Sequence, residues 1–195
     1  MSKVFAEISV SLDGFIAGPN VTVGNGMGDG GERLHEWMFP PDGSRGPIEE
    51  IHEAMFGASG AVVLGRRMFD VGQKPWGENP PFHMPVFVVT HRAGDPLVKQ
   101  GGTTYHFVTG GIERALEQAR ATAGDRDVIV MGGADIIDQF VRAGLLDELR
   151  IHLVPVLLGG GMRLFERIGP KQIELEATRV IDAPGVTHLT FRVAK

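Results

Sequence analysis

A chain of 195 residues, 43% apolar and 22% charged, carries enough hydrophobic material for one buried core and lies far from disordered or collagen-like compositions. Its formal charge of -5 argues against a phosphate-backbone partner, because nucleic-acid binders carry a basic stripe that displaces counterions. The lack of cysteine removes disulfides, thiolate nucleophiles and cysteine zinc sites, and is compatible with a reducing cytosol.

Met1 to Val10 has no long apolar core of a signal peptide, and no apolar run approaches the roughly 20 residues that span a bilayer. A cytoplasmic protein with no membrane partner is therefore expected. Val4 to Val10 alternates around Phe5, Ile8 and Val10, which reads as a first strand, and it ends in the turn-prone Ser11-Leu12-Asp13-Gly14. Gly18 to Gly46 is rich in Gly, Pro, Asn and Asp, a long loop of the kind that covers a site, with one short helical turn at Glu32 to Phe39. A helix follows from about Pro47 to Phe56: Pro47 suits a first helical position, Glu49 and Glu50 favour an N-terminus, and Ile48, Ile51, Met55 and Phe56 share a face.

Ala61 to Leu64 and Pro85 to Thr90 are short apolar runs typical of strands buried on both faces. Between them, Gly72 to Pro81 holds three Pro and two Gly and reads as a loop. Tyr105 to Val108 makes a weaker strand. Ile112, Ala115, Leu116 and Ala119 then mark an amphipathic helix to about Ala123. Val128 to Met131 is again a buried strand. Gly132 and Gly133 lead from it into a helix with Ile136, Ile137, Phe140 and Val141 inside, stopped by Gly144. Leu149 to Val156 is the next strand, and Ile173 to Val180 with Val186 to Val193 form a closing hairpin. The fold class is α/β, with a mostly parallel sheet that turns antiparallel at its C-terminal end. Such sheets carry their sites at the carboxyl ends of the strands.

Three clusters fall at those ends. Met131-Gly132-Gly133-Ala134-Asp135 runs from strand to helix through two glycines, so main-chain N–H groups and the helix dipole can meet a pyrophosphate without a Cβ in the way. It is not a G-x-G-x-x-G fingerprint, and a tight turn with no ligand reads equally well. Gly65-Arg66-Arg67-Met68 places two guanidinium groups after another buried strand, suited to phosphate or simply to water. Thr90-His91-Arg92 repeats the arrangement after a third strand. The seven histidines show no metal-ligand spacing, so no metal is expected.

The ordered set Ser11-Leu12-Asp13-Gly14-Phe15-Ile16-Ala17-Gly18, Gly65-Arg66-Arg67-Met68-Phe69, Val130-Met131-Gly132-Gly133 and Ala143 to Gly161 resembles the dihydrofolate reductase-like superfamily. It resembles above all the stand-alone bacterial relatives of the reductase domain of the bifunctional riboflavin deaminase-reductase. The resemblance implies one domain with helices on both sheet faces, NADPH as cofactor, a small-molecule substrate and a homodimer. It implies that Gly132, Gly133, Ala134 and Asp135 lie near the pyrophosphate and nicotinamide, with Met131 beside them. Arg66, Arg67 and Met68, following Gly65, fall to the adenosine-side phosphates, and Thr90, His91 and Arg92 to the adenosine ribose, with Arg92 on the 2′-phosphate. Ile16 and Ala17 would meet the nicotinamide ring. Met68 replaces a common Thr and so removes one hydroxyl donor.

On the substrate side, the resemblance offers Glu49 as a proton relay, Asp13 near a ribose-derived chain and His152 as a pocket-lining group. Each has an ordinary alternative: helix-dipole stabilisation, a turn, and a structural strand histidine. The implied reaction is hydride transfer to a heteroaromatic or sugar-linked substrate such as 5-amino-6-(5-phosphoribosylamino)uracil. Dihydrofolate reduction, a flavin- or deazaflavin-using reductase and a non-enzymatic nucleotide- or pterin-binding protein are the alternatives.

Overall fold

The computed structural model describes residues 2–40, 49–51 and 53–194. Its frame is a nine-stranded sheet made of β1 (Val4–Ser11), β3 (Ser59–Gly65), β4 (Pro85–Val89), β5 (Leu97–Val98), β6 (Thr104–Val108), β7 (Asp127–Gly132), β8 (Glu148–Val154), β10 (Leu175–Ala183) and β11 (Val186–Val193). The strand order is β10-β11-β8-β1-β7-β3-β4-β6-β5. Pairing is parallel from β8 through β6, while β11, β10 and β5 run antiparallel to their neighbours. Two short strands outside this sheet, β2 (Phe15–Ala17) and β9 (Met162–Arg163), pair antiparallel.

The apolar patterns decide which face each helix covers. Ile112, Ala115, Leu116 and Ala119 of α2 (Gly111–Ala123) and Ile136, Ile137 and Phe140 of α3 (Ala134–Arg142) pack on Val4, Ala6, Val63, Val128 and Val130. Ile137 and Phe140 are fully buried, each contributing about 1.5–3 kcal/mol, so truncating Phe140 to Ala would empty the centre of this layer. The opposite face receives α1 (Arg66–Trp76) and the π-helical turn Glu53–Gly57, whose Phe69 and Met55 meet Phe5, Val62, Leu64 and Val86. Helices therefore cover both faces of the sheet.

The expectation of a loop from Gly72 to Pro81 fails in its first half, because α1 runs through Gly72 and Pro75 to Trp76. Pro75 stands in the last turn, one residue from the C-terminus, and Gly72 makes room there for the indole: a Cβ on it would lie 2.3 Å from Trp76 Cη2. Trp76 then packs edge-on against the buried Phe82 at 4.9 Å, and that contact holds the helix end. The helix expected from Pro47 includes residues outside those described, among them Pro47 and Ile48; Glu49 to Ile51 are helical and the turn at Glu53–Gly57 widens to π geometry. β8 stops at Val154, before Pro155, and β10 is displaced by two to three residues from the expected span, with a bulge between Ala177 and Arg179. The expected helical turn near Glu32 is two 3-10 turns, Gly31–Leu34 and Glu36–Met38.

Candidate active site

Two strand-to-helix turns set the geometry. β3 enters α1 at Gly65 and β7 enters α3 at Gly133, and neither helix has a side-chain cap at its N-terminus. In α3 the Ile136 N–H turns back to the Gly133 carbonyl at 3.0 Å, and the N–H groups ahead of it stand at the positive end of the helix dipole, as do those that open α1. Gly65 brings the two turns together, since a Cβ there would stand 2.8 Å from Ile136 Cγ1 of α3. Gly132 takes φ +104, a conformation that L side chains rarely adopt. A Cβ at Gly133 would meet nothing closer than Met162 Sδ at 3.8 Å and Ile16 Cδ1 at 4.0 Å, so hydrogen at this position keeps open the space between the turn and the loop after β1.

These turns form one wall of a cleft of about 1050 Å³ along the carboxyl edge of the sheet. Ile16 and Ala17 line it from β2, Gly65, Arg66, Arg67 and Met68 from the start of α1, and Thr90, His91 and Arg92 from the end of β4. Met131, Gly133, Ala134 and Asp135 complete that wall, with Gly132 buried within the same turn. Arg66 is held by Asp70 at 2.8 Å and lies over the Phe69 and Phe107 rings, whereas Arg67 reaches only the Val21 carbonyl at 3.2 Å. Arg92 is exposed, with no ion-pair partner among the described residues. Asp135 pairs with Arg167 at 3.5 Å and accepts from Gln139 at 2.7 Å.

The other end of the cleft is aromatic and proton-bearing. Glu7 and Ser9 of β1, His35, Trp37 and Met38 of the covering loop, Met55 and His152 of β8 line it. The β1–β8 register sets Ser9 opposite His152, and the β8–β11 register sets His152 opposite His188, so polar groups of three strands meet on one face. His152 Nε2 lies 3.1 Å from Glu7 Oε1, its Nδ1 lies 2.8 Å from His188 Nδ1, and all three residues are 5–6% exposed. Trp37 packs on both imidazoles at 4.8 and 4.9 Å and donates its indole N–H to Ser9 Oγ at 3.2 Å. Burial, then the charges of His152 and Arg179, pull the His188 imidazole down to about 4. His35 is also pulled below its ordinary value, by burial and then by His152.

Of the three side chains singled out for substrate chemistry, only His152 reaches the cleft. Asp13 has its carboxylate occupied by Ser11 Oγ (2.6 Å) and by the N–H groups of Leu158 (3.1 Å) and Gly159 (2.7 Å), so it fastens the Gly159 loop to the end of β1. The Ser11 hydrogen bond, ahead of those N–H donors, holds its pKa below the usual carboxylate value. Glu49 is exposed and does not line the cleft. The carboxylate that lines the cleft beside His152 is Glu7, for which the sequence held one signal: an acid at an inward position of a buried strand, between Phe5 and Ser9. His188 and His35 became visible only through strand register and loop packing. Among the described residues no group of three or more His, Asp or Glu is arranged to hold a metal.

The sequence pattern of the RibD C-terminal domain matches residues 2–188. The chain belongs to the RibD C-terminal domain family. That family is reductase-like, and its fold recurs in solved structures. A Shewanella sp. PV-4 protein assigned to riboflavin biosynthesis superposes with a TM-score of 0.75 at 23% identity, covering 99% of both chains. The Thermotoga maritima deaminase/5-amino-6-(5-phosphoribosylamino)uracil reductase gives 0.66 at 14% identity, over 99% of this chain and 57% of that one. Enterococcus faecalis dihydrofolate reductase complexed with NADP(H) gives 0.61 at 16% identity, over 99% and 97%. In this RibD C-terminal domain the glycine turns, Glu7 and His152 line one cleft, with His188 packed behind His152.

Proposed function

We propose that this chain is an NADPH-dependent reductase that transfers hydride to a flat heteroaromatic or sugar-linked substrate, with 5-amino-6-(5-phosphoribosylamino)uracil the first compound to test. One observation carries the reading: residues from four separate strand ends, each suited to part of a dinucleotide, line one continuous cleft. The residues fit the cofactor, since the uncapped starts of α1 and α3 suit phosphate oxygens and Gly133 leaves the space that a side chain would fill. Arg66, Arg67 and Arg92 would hold its charged groups, and Ile16 and Ala17 would flank the nicotinamide. The cofactor supplies the hydride and its two electrons. The chain's own contribution is to hold the substrate against Trp37 and Met38, exclude water and provide a proton.

The same reading makes the enzyme a cytoplasmic, single-domain homodimer. Strand β10, exposed along nearly all of its length and carrying Leu175 and Val180 outward, supports a self-association face. No helix among the described residues is long and apolar enough to cross a membrane. Light scattering tests the dimer. Titration with NADPH and NADH, followed by protein fluorescence, tests the cofactor. Preference for NADPH is expected, weakened about tenfold by Arg92→Ala through loss of one charge-assisted contact, with NADH binding unchanged.

A further inference from the structure

We propose that Glu7, His152 and His188 form one proton-holding unit, and that Glu7 hands its proton to the substrate atom next to the carbon that accepts hydride. The inference deepens the reductase reading and rests on it for the use of the proton. Reducing a C=N bond adds a hydride at carbon and a proton at nitrogen, and the second must come from a group in the cleft. Among the described residues five carboxylates line it. Asp70 is tied to Arg66, Asp135 to Arg167, Asp138 accepts the Arg167 N–H at 2.9 Å, and Glu166 is exposed. Glu7 alone is bonded to an imidazole and sits at the aromatic end.

The three groups make a directed chain. With one added proton, His152 is an imidazolium that donates Nε2–H to Glu7 Oε1 and Nδ1–H to His188 Nδ1. His188 can accept that bond only while it stays neutral. Its own position enforces this, because it is buried beside His152 and faces Arg179 of β10. The other charges around the unit are Arg150 of β8, 3.5 Å from Glu7 Oε2 and shared with Glu148, and His35 of the covering loop; Arg179 is itself paired with Glu50. Glu7 and His152 line the cleft, whereas His188 lines only an outer groove beyond them, so it acts as a positioning residue through His152.

The Nε2 proton of His152 crosses to Glu7, the resulting carboxylic acid protonates the substrate nitrogen, and hydride from NADPH completes the new C–H bond. NADP⁺ and the reduced substrate leave, Glu7 is again a carboxylate, and neutral His152 regains its proton from water.

Histidine ¹⁵N NMR across a pH titration of the cofactor-free protein tests the unit directly. The expected result is a first proton shared across the hydrogen-bonded pair and reported by both rings together. A second would follow only near the depressed His188 value of about 4. Glu7→Gln should lower the first midpoint by about one pH unit or more, through loss of the carboxylate partner. Two independent protonations of the two rings would overturn the proposal. So would a first proton settling on His188 rather than on His152, or a midpoint indifferent to Glu7→Gln. Because no cofactor is needed, these outcomes are separate from the NADPH titration, which can fail while the shared titration persists.

Discussion

The two ends of the cleft are built by different means. At the glycine turns, each polar or basic cluster lies within a few residues of a strand terminus, and the chain itself brings Gly65 to Arg67 or Gly132 to Asp135 together. At the proton-bearing end, Glu7, His152 and His188 come from positions far apart in sequence, and meet only because β1, β8 and β11 are neighbours in one particular register. The first kind of site survives small shifts between strands. The second depends on register, since a slip of one residue would turn His188 to the other face of the sheet.

The contrast can be broken by substitution. The largest effect is expected for Glu7→Gln, which should reduce kcat on 5-amino-6-(5-phosphoribosylamino)uracil by about 100-fold or more, the usual scale for a lost general acid. NADPH affinity, measured separately by fluorescence, should stay near the wild-type value. Gly133→Ala should do the reverse. Its methyl group would stand in the gap beside Met162 and Ile16 and weaken NADPH binding by about 100-fold, roughly 3 kcal/mol, while thermal unfolding changes little because a Cβ there makes only ordinary contacts.

Acid stability gives a third, smaller effect. His188 has a folded pKa below its unfolded value, so the unfolded chain binds more protons between about 6.5 and about 4. Stability should therefore be fully present above pH about 6.5 and fall as pH drops toward 4. The loss is on the order of 2 kcal/mol once coupling to His152 and solvent screening are discounted. Denaturant melts of wild type and His188→Phe across that window should converge at low pH. Glu49→Gln, outside the cleft, should leave kcat, NADPH affinity and stability unchanged, and a clear loss of activity would return the proton to the residue first suggested by resemblance.

What was legible in the sequence follows from the same distinction. Buried strands, glycine turns and the amphipathic faces of α2 and α3 are local signals, and the structure has them close to the expected residues. Pro75 misled because the Gly72–Trp76–Phe82 packing that holds the helix end around it is not visible in the local sequence. β2 and β9 are too short to show a period, and they exist by pairing across the chain. His152 could be singled out, but its partners could not, since nothing local in Val186 to Val193 indicates that His188 faces it.

The proposed cofactor lies along the carboxyl edge of the sheet, and backbone amide shifts recorded by NMR during an NADPH titration test this directly. Saturable shifts are expected to cluster at Gly65 to Met68, Thr90 to Arg92 and Gly133 to Asp135, with Leu175 to Ala183 unmoved. No shifts, or shifts confined to the outer groove around Arg179 and His188, would contradict it.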